Sequence, residues 1–122
     1  MAVLAMDQFA HVIASRLAGS ELISSADDIA GAFATGRIPV LAPYRWLRET
    51  DPLPHSWEVT SDSIAAWVAG ALGAKRLVLI KPPGVTGGDA VDAYFAHALP
   101  TGMTARIVAT DDVEALDRAW TG

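Results

Sequence analysis

Cysteine is absent from the 122 residues, which removes disulfide frameworks, thiolate nucleophiles and sulfur-ligated zinc from consideration. That absence fits a reducing compartment, and a cytoplasmic location is expected. Also missing is any apolar run near the ~20 residues needed to cross a bilayer, because Asp, Arg, Gly or Pro interrupts each one, and no basic segment opens the chain. No membrane association is expected. Positive charge is scarce: nine Lys and Arg stand against fourteen Asp and Glu, for a formal charge of −5. The phosphate-neutralising surface of a non-specific nucleic-acid binder is therefore lacking as a bulk property, which leaves room only for a local basic pocket. No two of His11, His55 and His97 have the spacing of a helical metal site, and no protein-borne metal site is expected.

What remains is mostly apolar, 52% of residues against 19% charged. That balance excludes wholesale disorder and suits a single domain over residues 1–122. Val3, Met6, Ala10, Ile13 and Leu17 recur at helical spacing, with Gly19 as the stop. Met1, Ala2 and Val3 offer no N-cap, so this helix reads as one that starts in its middle. Ser25, Asp27 and Asp28 open a second helix over about Ala26–Thr35, closed by Gly36. Pro39–Ala42 reads as a buried strand. The stretch from Arg45 to Val59 reads as a loop, longer than the ~4–6 residues compact domains usually need, with Trp46 and Trp57 pinning it.

A helix then carries Ile64, Trp67, Val68, Ala71 and Leu72 on one face and stops at Gly73. Arg76–Lys81 is a strand, PPGVTGG a turn, Asp89–Leu99 a helix with Val91, Tyr94, Phe95 and Leu99 inward, and Thr104–Thr110 a strand. Asp111–Trp120 is an acid-started helix docked through Trp120. Strands alternating with helices predict an α/β fold of three layers around a mostly parallel sheet of at least three strands.

In open parallel sheets ligands gather beyond the carboxyl ends of the strands, where helix amides are free. Three segments qualify: the Arg45–Thr60 loop with the helix start that follows it, the Lys81–Asp89 turn, and the turn after the last strand. Thr60, Ser61, Asp62 and Ser63 bring three hydroxyls and a carboxylate to a helix start, where they can hold a phosphoryl group or orient a cation. The same residues also make an ordinary N-cap, which their spacing somewhat favours. Lys81 can meet a phosphate as a mobile point charge or be a solvated strand-end lysine, and Gly84, Gly87 and Gly88 permit either close ligand approach or a tight turn. His55, in the loop, is the histidine best placed for ligand contact.

The segment VTSDSIAAWVAGALGAKRLVLIKPPGV resembles the part of amino acid kinase superfamily proteins in which a hydroxyl-hydroxyl-Asp turn opens a helix ahead of a strand and a nucleotide-contacting turn. Its nearest likeness is to uridylate-kinase-like members, the aminomethylfuran phosphate kinases of methanofuran synthesis. The pattern LPxSWxVTSDSIAAW is met by Leu53, Pro54, Ser56, Trp57, Val59 and the run from Thr60 to Trp67. The resemblance implies a partial amino-acid-kinase fold, the nucleotide-binding C-terminal half, serving one-carbon cofactor biosynthesis. It implies that Asp62 organises the transfer centre and that Thr60 and Ser61 border the acceptor. Lys81, Pro82, Pro83, Gly84 and Val85 would line the site of ATP, which brings its own Mg2+.

The family's N-terminal lysine and glycine triplet have no counterpart in these residues, so the chain is expected to need a missing half, from a longer chain or a partner, to phosphorylate a small phosphorylated substrate. A non-catalytic nucleotide-binding or assembly module is the alternative. Homo-oligomers are expected, since a half-fold leaves apolar edges to cover.

Overall fold

Residues 2–56, 58–85 and 90–121 are described by a computed structural model. Trp57, Gly87, Gly88, Asp89 and the side chain of Trp120, all singled out above, lie outside the described residues. The chain divides into two compact units, Met1–Pro54 and His55–Gly122, each built around a parallel pair of strands.

In the first unit, α1 (Ala2–Arg16) leads to β1 (Ser20–Ile23), a 3-10 turn (Ala26–Asp28), α2 (Ile29–Ala34), β2 (Ile38–Leu41) and α3 (Tyr44–Thr50). Parallel strands need a crossover, and the 3-10 turn with α2 supplies it, so that Ser20 pairs with Ile38 and Ile23 with Leu41. The expected inner stripe of α1 holds only in part. Val3 and Ala10 are buried, whereas Ile13 and Leu17 are 46% and 42% exposed. Phe9 and Val12 extend the apolar surface of this helix beyond the expected stripe, so composition alone does not choose the inner side; Val3 and Ala10 are the residues buried where β1, β2 and α3 pack on the helix.

Three elements differ from expectation, one of them in the second unit, where the helix expected over Asp89–Leu99 spans only Phe95–Ala98. The four-residue β1 occupies a segment expected only to connect helices, and α3 takes up the beginning of the expected long loop. Helix α3 starts where Asp7 Oδ1 accepts from the Tyr44 amide at 3.0 Å and ends at Asp51, which adopts a left-handed φ of 46°.

The second unit runs α4 (Ser61–Ala71), β3 (Arg76–Lys81), α5 (Phe95–Ala98), β4 (Thr104–Ala109) and α6 (Val113–Thr121). Thr60 caps α4, its side chain accepting from the Asp62 amide. At the other end Gly73, with φ of 68°, lets Ala74 N donate to Ala69 O at 2.9 Å and its own N donate to Gly70 O at 3.1 Å. These two bonds satisfy carbonyls that the helix leaves over. β3 and β4 are parallel, Arg76 facing Thr104 and Lys81 facing Ala109.

Between these strands the chain crosses over through α5, and Phe95 packs with Ala66 and Leu79 into a buried cluster bordered by Val91 and Leu99. Burying a phenylalanine of this kind is worth about 1.5–3 kcal/mol. The expected inner face of α4 is rotated: Asp62, Ser63, Ala66 and Ala69 are buried with Ile64, while Ala71 and Leu72 are exposed. Small residues on the inner side let the neighbouring chain come close, to the point that a Cβ on Gly70 would stand 2.7 Å from Pro100 Cγ. The architecture is α/β with short parallel sheets, and among the described residues the strands form two separate pairs in place of the expected sheet of at least three strands.

Candidate functional site

Lys81 is the last residue of β3, and Asp62 lies in the first turn of α4, so strand end and helix start converge within the second unit. Lys81 Nζ donates to Asp62 Oδ1 at 2.6 Å, with side chains only 20% and 10% exposed. Such a pair repays its desolvation only when geometry is good and the remaining lone pairs are occupied. Here the second oxygen, Asp62 Oδ2, accepts from the backbone amide of Asp92 at 3.2 Å.

Asp92 itself was not singled out in the sequence. It lies on the crossover between β3 and β4, just before α5, and its carboxylate accepts five hydrogen bonds. Oδ2 accepts from the Thr60 amide at 2.9 Å, the Thr60 hydroxyl at 2.7 Å and the Ser63 amide at 3.1 Å. Oδ1 accepts from the Ser63 hydroxyl and from the Tyr94 amide. Burial pushes the Asp92 carboxyl up, and the hydroxyls and amides of Ser63 and Thr60 more than offset it, holding the group below the usual carboxylate value.

The amides and hydroxyls of Thr60 and Ser63 at the start of α4 are thus engaged with an internal carboxylate. The sequence signal for this was slight: an Asp after a glycine-rich turn, 29 to 32 positions from its partners.

The other expected site residues fall around this centre. Thr60 is the cap of α4 and Ser61 its exposed first residue. His55 is exposed in the preceding segment. Past Lys81, Pro82, Pro83 and Gly84 are exposed and Val85 is half-buried, with Val85 N donating to Pro82 O at 3.3 Å to close the turn. Gly84 has φ of 88°, and a Cβ placed there would meet nothing within 4 Å; its backbone is open to a ligand. The third candidate turn is occupied by a cap, Asp112 Oδ1 accepting from the Ala115 amide at 3.0 Å. His97 stacks on Tyr94, ring centroids 5.3 Å apart, and His11 bonds the Asp7 carbonyl.

A partly exposed ammonium beside an open glycine turn suits a polyphosphate. Among the described residues no three of His, Cys, Asp or Glu gather as a metal site. Nor is any described helix long and apolar enough to cross a membrane.

The amino acid kinase family model matches residues 2–99, a span that runs from α1 through α5 and contains Thr60, Asp62, Lys81 and Asp92. No curated protein and no solved structure matches the chain.

Proposed function

The chain belongs to the amino acid kinase family, and from that premise we propose that it is the nucleotide-binding portion of an ATP-dependent kinase acting on a small phosphorylated substrate. The reading is carried by the 2.6 Å pair of Lys81 Nζ and Asp62 Oδ1 at the carboxyl end of β3. Phosphoryl transfer asks little covalent chemistry of a protein and depends on positioning and charge stabilisation. ATP with its Mg2+ supplies the γ-phosphoryl group. Lys81 provides a positive point charge toward the phosphates, and Asp62 fixes where that charge stands. Pro82, Pro83, Gly84 and Val85 form the nucleotide side, with the open backbone at Gly84 admitting close approach. Thr60, exposed Ser61 and His55 form the acceptor side.

The likeness of LPxSWxVTSDSIAAW to aminomethylfuran phosphate kinases makes one-carbon cofactor biosynthesis the proposed process, in the cytoplasm. Within these residues no lysine near a first strand and no glycine triplet is available to grip the transferring group, so the transfer step is assigned to this portion acting together with such groups from outside it. Exposed Phe9, Val12 and Ile13 on α1 support self-association.

Titration calorimetry with Mg-ATP tests the reading. Saturable heat is expected, lost in Lys81→Gln with the circular dichroism retained. No heat and no thermal shift with the wild-type chain at about millimolar nucleotide, a binding free energy weaker than about −4 kcal/mol, overturns it.

A further inference from the structure

We propose that Asp92 is the positioning residue of the Asp62–Lys81 centre: it locks the crossover segment to the start of α4 and so fixes which Asp62 oxygen holds the ammonium. The catalytic meaning of that lock rests on the function proposed above, while the lock itself stands on geometry.

Asp62 has two equivalent oxygens, and Lys81 is a flexible four-carbon stem with three donors. Left alone, the pair can swap oxygens and swing. The Asp92 amide removes that freedom by occupying Oδ2 at 3.2 Å, leaving Oδ1 for Lys81 at 2.6 Å. For the amide to do this its own backbone must be held, and the Asp92 side chain holds it through Thr60 and Ser63. Side chain and main chain of one residue therefore act on the same turn of α4 from two directions.

A simple helix cap does not account for this. Thr60 already caps the Asp62 amide, and capping requires no bond from the Asp92 amide to a functional carboxylate. The carboxylate is also irreplaceable by its amide. Both oxygens accept backbone N–H groups, from Thr60 and Ser63 on one and Tyr94 on the other, and the NH2 of an asparagine can accept from neither.

The test uses the full chain labelled with 15N and follows proton exchange at the Lys81 ammonium, which a held carboxylate slows relative to exposed Lys75. In Asp92→Asn exchange at Lys81 is expected to quicken at least tenfold. Leu77→Ala, a core change near the opposite end of β3 from Lys81, loosens the unit away from the lock and should leave exchange as in wild type. Should Asp92→Asn fail to fold, Thr60→Val, which removes one hydroxyl donor, gives the same acceleration in weaker form, and Thr60→Ser restores slow exchange. A wild-type ammonium that exchanges as fast as Lys75, or variants indistinguishable from wild type, overturns the proposal.

Mg-ATP affinity is measured in parallel and should weaken about tenfold in Asp92→Asn. A wild-type chain that binds no Mg-ATP sinks the nucleotide reading alone, because the ammonium measurement still decides the role of Asp92.

Discussion

Each unit of the chain begins one of its helices on a carboxylate borrowed from another segment of the same unit, and the two arrangements are unequal. In the first, Asp7 of α1 takes the Tyr44 amide at the head of α3, and its carboxylate otherwise meets the His11 ring, 4.0 Å away with a 59% exposed side chain. In the second, Asp92 takes two amides and two hydroxyls at the head of α4, a third amide from Tyr94, and then lends its own amide to Asp62. A remote carboxylate at a helix start is thus only a cap when its side chain alone is used. It becomes part of a charged centre when its main chain is enlisted as well.

The contrast can be broken most forcefully at the ion pairs. Lys81→Met leaves Asp62 buried without its counter-charge and should cost about 3–5 kcal/mol, read from urea unfolding. Arg45→Met, which removes the exposed Arg45–Glu49 pair of the first unit (3.4 Å, side chains 76% and 66% exposed), should cost about 0.5 kcal/mol or less. Equal costs would mean that the Lys81–Asp62 pair is a surface pair in solution.

Acid should probe the caps. Because the folded protein holds the Asp92 carboxyl below its ordinary value, the stabilisation it gives is fully present above the unfolded value of about 3.9 and is lost as pH falls through the lower folded one. Asp92→Asn should remove that acid-dependent slope and cost about 1–3 kcal/mol at neutral pH. Asp7→Ala should cost about 1 kcal/mol as a lost cap.

A pair of effects of opposite sign sits in two helical glycines. Gly70→Ala drives a methyl to within 2.7 Å of Pro100 and should destabilise by about 1–3 kcal/mol. Gly31→Ala in α2 meets nothing within 4 Å and should stabilise by about 0.5–1 kcal/mol. Thermal unfolding of both variants gives the signs.

The legible parts of the sequence were those with a local signature. β3 was readable to the residue as RLVLIK, and the stops at Gly19, Gly36 and Gly73 all have positive φ, because a residue without Cβ is the usual way to leave a helix. β1 escaped notice because SELI has four residues and a glutamate, too short for a periodicity to register. Helix α3 was hidden among prolines and tryptophans that read as loop, and its start is secured by Asp7, 37 positions away. In α4 bulk favours the Trp67 and Leu72 side, whereas closeness of packing selects Ser63, Ala66 and Ala69. At the site, Thr60, Asp62 and Lys81 could be singled out because each sits at an element boundary. Asp92 could not, since nothing in its neighbourhood predicts partners about thirty residues upstream.

The chain has two lysines, Lys75 and Lys81, and the Asp62 pairing makes them chemically unlike. An acylating reagent finds Lys75 exposed on the approach to β3, whereas the Lys81 amine must first leave its carboxylate and its covered position. Mass spectrometry after brief acetylation should therefore find one modified lysine, and the second should accumulate only as the fold opens, which turns Lys81 into a built-in reporter of the integrity of the centre it belongs to.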